Sequence, residues 1–163
     1  MSNVEEAGSE LLTIPGNWNI QYNYAAGRVA SSFFKSLKEE GKLFGTTCPN
    51  CRRTLVPPRS FCERCFVPTT ESREVGPEGT VVTFTICMRR TPGLDCPPPF
   101  MLGMIRLDGA DTNMVHLVTG VNLDDPLKLL ERVRAGLRVK AHVRPASERK
   151  GHILDIASFE AIG

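Results

Sequence analysis

The chain has 163 residues, 41% of them hydrophobic and 23% charged, with a formal net charge of +2; this is the balance of a soluble globular protein with room for one ordinary domain and a small module. So small a positive excess gives no reason to expect nucleic acid or a membrane surface, and no apolar run approaches the roughly 18 residues of a membrane span. The first ten residues are acidic and polar, unlike a secretory signal, and paired C-x-x-C motifs without such a signal point to reduced thiols in the cytoplasm.

Residues 1–25 read as an N-terminal arm. Trp18, Ile20, Tyr22 and Tyr24 alternate with Asn17, Asn19, Gln21 and Asn23, which is strand periodicity with an apolar face. That face packs either on the chain's own core or along a partner. Residues 26–41 hold a helix: Val29, Phe33 and Leu37 share a side, and Gly41 stands where a helix stops.

The segment 42–70 carries Cys48-Pro-Asn-Cys51 and Cys62-Glu-Arg-Cys65, two C-x-x-C pairs ten residues apart. Two such pairs aim four sulfurs at one point, the tetrahedral set that Zn²⁺ accepts without redox chemistry. Four thiolates also suit iron, although nothing in the chain suggests an electron partner. All four positions are filled by protein, so the expected Zn²⁺ is structural. Lys42, Arg52, Arg53, Arg59 and Arg64 face only Glu63 in this stretch, and part of that excess offsets the net negative charge of a tetrathiolate zinc centre.

From Gly76 onward the pattern is β. Strands are expected over Thr80–Met88, Phe100–Asp108, Asn113–Thr119, Leu137–Arg144 and residues 152–159, with Val82, Phe84, Ile86 and Met88 on one face of the first. A turn falls at Asp108-Gly109. Leu123-Asp124-Asp125-Pro126 opens a short helix, with an Asp as N-cap and Pro126 at the first position, and Leu127, Leu130 and Val133 on one side. Three strands, a helix and two strands is the order of an OB barrel. The expected fold is therefore mainly β with an N-terminal helix, a Cys₄ zinc ribbon over 42–70 and a five-stranded OB-fold domain over 71–163.

These residues resemble a known family. Phe33-Phe34 and Leu37, Glu40-Gly41-Lys42-Leu43, the two C-x-x-C pairs with Pro57-Pro58-Arg59 between them, Gly79-Thr80-Val81, Leu107-Asp108-Gly109 and Gly136-Leu137-Arg138-Val139 are similar to the DUF35 family, over about residues 28–160. The resemblance implies a rubredoxin-like zinc ribbon and an OB fold in a non-catalytic subunit that assembles with acyl-CoA enzymes. These are most often thiolase-fold subunits and in some cases hydratase-like ones. The family's contexts include archaeal acetoacetyl-CoA thiolase complexes, ketosteroid side-chain degradation and the benzoylsuccinyl-CoA thiolase of anaerobic toluene breakdown; overall similarity points to the last, an aromatic-degradation thiolase. One departure stands out: such knuckles often carry Gly after the second cysteine, where a positive φ can be needed, and here Arg52 and Phe66 stand there.

Independent chemistry has little support in the residues. Cys87 and Cys96 are the cysteines outside the ribbon, His116, His142 and His152 are the histidines, and no pairing resembles a thiolase nucleophile with its base. For an acyl-CoA, Arg89 and Arg90 at the first barrel loop are the candidate contacts, and the alternating Arg138, Lys140 and Arg144 a further stripe. The rival class is nucleic-acid binding, which uses OB folds and ribbons with stacking aromatics and a basic groove. Phe84, Phe100 and Phe159 are the aromatics placed to serve it, and Phe84 falls on the core face.

Overall fold

The structure is a computed structural model that describes residues 14–16, 20–69, 71–90, 96–124 and 136–162. The helix expected at 126–133, and Leu11, Leu12 and Trp18 of the arm, lie outside the described residues.

Helix α1 spans Arg28–Glu39 and buries Phe33 and Leu37, one turn apart on its inner face. The Phe33 ring meets Phe34 and Phe44 edge-on, each at 5.6 Å between centroids. The helix ends at Gly41, whose φ of 71° and N–H bonds to the Ser36 and Leu37 carbonyls close the last turn. Arg149, far along the chain, donates to the Lys38 carbonyl at the same end. The helix is thereby tied to the distal part of the molecule.

The ribbon holds three strands, β1 (Leu43–Thr47), β2 (Thr54–Leu55) and β3 (Glu71–Val75), in the antiparallel order β2-β1-β3. Gly45 of β1 is obligatory where the sheet meets β2: an added Cβ would stand 2.7 Å from the Leu55 carbonyl oxygen.

Five strands then close a barrel: β4 (Glu78–Cys87), β5 (Phe100–Leu107), β6 (Met114–Thr119), β7 (Arg138–Val143) and β8 (Ile156–Ala161). Their order is β4-β5-β6-β8-β7, with β7 returning to β4. Neighbours are antiparallel except β6 and β8, which run parallel and pair through Val118–Phe159 and Thr119–Glu160. This is the OB arrangement. The β5–β6 turn is made by Asp108 and Gly109, with Gly109 at φ 84°.

Two details differ from simple alternation. Strand β4 has an irregular register between Val81 and Thr83, so Val81 is fully buried and Val82 is exposed, while Phe84 and Ile86 pack on the core. The bulge inserts one extra residue and flips the face upstream of it, which is why Val82 does not share a side with Phe84. Near the end, Ile153–Asp155 form a 3₁₀ turn, and β8 starts only at Ile156.

Helix, ribbon and barrel share one core. Phe33, Leu37, Leu43, Val56 and Val75 are continuous with Val81, Met101, Ile105, Val139, Ile156 and Phe159. The β5–β6 loop also docks on β2 as a surrogate strand. Asp111 accepts from the Thr54 N–H and donates its own N–H to the Thr54 carbonyl. The buried Thr112 hydroxyl accepts from the Val56 N–H at 2.7 Å and donates to the Val56 carbonyl at 2.8 Å.

Candidate metal centre and the clefts of the barrel

The two C-x-x-C segments fold into the same turn twice. The Cys48 N–H donates to the Arg53 carbonyl and the Arg52 N–H to the Cys48 carbonyl; likewise Cys62 donates to Val67 and Phe66 to Cys62. Both turns require a left-handed residue after the second cysteine. Arg52 and Phe66 supply it at φ 61° and 54°, although neither is glycine. The knuckle geometry therefore survives the departure seen in the sequence.

The Sγ atoms of Cys48, Cys51, Cys62 and Cys65 all lie within 4.8 Å of one another, and those of Cys51 and Cys62 are 3.8 Å apart. A tetrahedral Zn–S bond of about 2.3 Å gives sulfur–sulfur edges of about 3.8 Å, so the set fits a tetrathiolate ion. Cys48 and Cys62 are buried and pack with Leu55, while Cys51 and Cys65 are half-buried beside Val67. Backbone hydrogen bonding from Cys51, with Asn50 adding to it, draws the Cys48 thiol down to about 7 against the opposing effect of burial. A hydrogen bond with the Cys51 sulfur, then burial and the nearness of Cys48, push the Cys65 thiol up to about 12. Four thiols this close cannot all ionise without a cation between them. Across the centre, Glu63 of the second knuckle pairs with Arg53 at 3.1 Å and with Arg59 at 3.3 Å. One carboxylate thus fastens the knuckles together and holds two of the ribbon's cations.

The other candidate residues are dispersed. Arg89 and Arg90 are exposed just beyond the end of β4. Arg138 is committed to structure: it grips Asp108 through both terminal nitrogens, at 2.8 and 2.6 Å, and reaches Glu78. His142 is exposed on β7, and His152 stacks on Phe34 at 6.4 Å between ring centroids. Phe84, Phe100 and Phe159 all pack toward the core, Phe100 and Phe159 fully buried. Those rings are spent inside the barrel rather than on a stacking platform.

The fold also assembles a site that sequence order hides. Upstream of the Val118–Phe159 pair, a cleft of about 300 Å³ lies between β6 and the 153–157 segment, lined by Leu102, Leu117, Ile153, Leu154 and Ile156, with Cys96 and His116. Cys96 and His116 share this cleft without a hydrogen bond between them. The Cys96 thiol points to the Pro97 carbonyl, His116 Nδ1 accepts from the Leu117 N–H, and His116 Nε2 is buried with no hydrogen-bond partner among the described residues. Burial holds the His116 imidazole below its ordinary range, which favours the neutral ring with its proton on Nε2. Among the described residues, no base is hydrogen-bonded to the Cys96 thiol. Arg144 and Leu154 also border a second, polar hollow of about 470 Å³, lined further by Glu148, Lys150, His152 and Asp155. The buried Asp155 carboxylate accepts from the N–H groups of Lys150, Gly151 and His152. Burial works against this carboxylate, but those donors hold it below the usual range. Gly151, in the left-handed region at φ 80° and four residues before Asp155, is the one local signal of this nest.

Two family models match adjoining parts of the chain. A "ChsH2, rubredoxin-like zinc ribbon domain" fits residues 36–71, and a "ChsH2, C-terminal OB-fold domain" fits 72–144. A solved protein of unknown function from the DUF35 family of Sulfolobus solfataricus is 28% identical with a TM-score of 0.55, over 71% of this chain and 78% of that one. A second structure, described as the "Ltp2-ChsH2(DUF35) aldolase", has 18% identity and a TM-score of 0.56, over 78% of this chain and 92% of the other; it shows likeness of fold. Among curated proteins, none matches the chain.

Proposed function

The chain belongs to the ChsH2 (DUF35) family of rubredoxin-like zinc ribbon and OB-fold proteins, and from that premise we propose that it is a zinc-binding accessory subunit of an acyl-CoA-processing complex. The observation that carries the reading is the consecutive match to both ChsH2 domains, joined by a structural neighbour in which a ChsH2 (DUF35) chain is named together with Ltp2. The chain's own chemistry agrees. Its four clustered cysteines form a closed set that leaves no ligand position for substrate, and the described residues hold no thiol hydrogen-bonded to a histidine. Bound Zn²⁺ would fix the two knuckles; Cys48, Cys51, Cys62 and Cys65 would hold it.

The finer reading is a thiolase complex that cleaves a carbon–carbon bond of a 3-oxoacyl-CoA in aromatic degradation, as the DUF35 resemblance implies. The nucleophile then belongs to the partner, and this chain supports assembly and the acyl-CoA site. Arg89 and Arg90 are exposed and suited to CoA phosphates. The arm supports a docking role as well: Ile20, Tyr22 and Tyr24 are exposed, and the two tyrosine rings lie 6.3 Å apart on one side.

The test is reconstitution. The purified zinc-loaded chain, assayed alone, is expected to give no cleavage of 3-oxoacyl-CoA thioesters. Mixed with the catalytic subunit of its native complex, it is expected to form a hetero-oligomer that is active. Turnover by the chain alone would overturn the accessory assignment, and full activity of the catalytic subunit without this chain would remove its proposed role.

A further inference from the structure

The left-handed positions of the two knuckles carry side chains that the fold itself does not use. Phe66 is 82% exposed at φ 54°, and Arg52 is exposed at φ 61°. Glycine meets such a backbone without the Cβ penalty, so each position holds a residue that works against its own local conformation. Strain of this kind persists where the side chain has a use, and the use has to be found outside the local backbone.

For Phe66 the described residues show no internal packing role. The ring is absent from the small cluster of Cys48, Leu55, Cys62 and Val67 that packs the metal centre, and it makes no aromatic contact among the described residues. Phe61, just before the same knuckle, is also half-exposed at 51%. Around these rings the charge is positive. Glu63 is already shared by Arg53 and Arg59, while Arg52 and Arg64 form no ion pair among the described residues. A rigid aromatic on a knuckle that also carries Arg64, with Arg52 at the equivalent position of the other knuckle and neither guanidinium ion-paired among the described residues, has the composition of an interface anchor.

We propose that the tip of the ribbon is a docking prong in which Phe66 enters an apolar socket on the catalytic subunit and Arg52 and Arg64 meet carboxylates at its rim. The occupant is a protein surface with an acidic edge, chosen by the charge of the prong. The inference rests on the accessory-subunit reading and adds to it the contact residues. It also gives the metal a purpose beyond local stability: the knuckle holds Phe66 in one orientation, so little ordering remains to be done on binding.

The test compares the full-length zinc-loaded chain with Phe66→Gly, Phe66→Asn and Arg64→Glu, titrated against the purified catalytic subunit. Both Phe66 variants suit a left-handed backbone. They are expected to keep the zinc content and to melt at the same or a higher temperature, while Kd for the catalytic subunit rises at least about tenfold. Arg64→Glu is expected to slow association and flatten its salt dependence. If the wild-type chain binds and both Phe66 variants bind equally well, the prong is wrong and the accessory reading stands. If the variants lose zinc or melt lower, Phe66 is a structural residue and the prong is again wrong. If the wild-type chain does not bind the catalytic subunit at all, the accessory reading fails and the prong fails with it.

Discussion

Single residues of this chain divide into those whose role is set by near neighbours and those whose role appears only after folding. The four metal-site cysteines are of the first kind, because C-x-x-C spacing alone brings each pair of sulfurs together. His116 and Asp155 are of the second. His116 becomes a buried ring against Phe159, and Asp155 becomes the acceptor of the Lys150–His152 turn; no sequence period announces either. Both are held below their ordinary titration ranges, His116 by burial and Asp155 by its backbone donors prevailing over burial. For each, the unfolded chain binds a proton at a pH where the folded chain does not, so stability declines as the pH is lowered. The decline is expected to begin below about pH 6.5, where an unfolded histidine protonates, and to steepen below about pH 4 as unfolded aspartate does. Asp155→Asn is expected to shrink the lower step, leaving the share that Asp108 and Glu63, also held below the carboxylate range by hydrogen bonds and their arginine partners, contribute, and to cost about 1–3 kcal/mol at neutral pH through weakened hydrogen bonds to buried donors. Denaturant melts across this range check both; an unchanged lower step in the variant would exclude Asp155 as its source.

At the level of elements, the helix is legible in the sequence because Phe33 and Leu37 repeat at helical spacing, and the barrel because short alternating strands and the Asp108-Gly109 turn mark its order. The inner face of β4 is not legible there. The register shift between Val81 and Thr83 shows only in the pairing of β4 with β5, as does the close approach at Gly79, where a Cβ would stand 2.6 Å from the Arg106 carbonyl oxygen; neither is visible along one strand. The docking of the β5–β6 loop on the ribbon is equally hidden, since Asp111 and Thr112 meet residues more than fifty positions away. Thr112→Val keeps the side-chain shape and strands the Val56 N–H and carbonyl, and is expected to destabilise the protein by about 1–3 kcal/mol. The ribbon depends on its metal in a separable way. Chelation, or Cys48→Ser, is expected to expose the two knuckles, 48–53 and 62–67, to proteolysis while the barrel remains folded, because the cysteines and Val67 pack in a small cluster apart from the core that Leu43 and Val56 share with Val81, Met101, Ile105 and Phe159. Equal protease resistance with and without metal would contradict the structural role given to the four thiols.

At the scale of the whole molecule, the fold is recognisable from sequence, and the surface proposed to face a partner is legible only in part. The arm's alternating aromatics mark an apolar face by their period alone, and Tyr22 and Tyr24 on that face are exposed at 77% and 81%. Phe66 belongs to no such pattern; its significance rests on a positive φ and on what the ring fails to touch. Removal of residues 1–25 is expected to weaken the complex without lowering the melting temperature of the remaining chain, since Tyr22 and Tyr24 lie outside the core; unchanged affinity would return the arm to a passive tail. On the proposed function, chemistry belongs to another subunit and assembly to this one. Steady-state cleavage of a 3-oxoacyl-CoA, followed while the zinc-loaded chain is titrated into its purified catalytic subunit, tests that division most directly. The expected result is no turnover from this chain alone and activity that rises and saturates at a fixed subunit ratio; turnover by this chain without its partner, or a catalytic subunit indifferent to its addition, would contradict it.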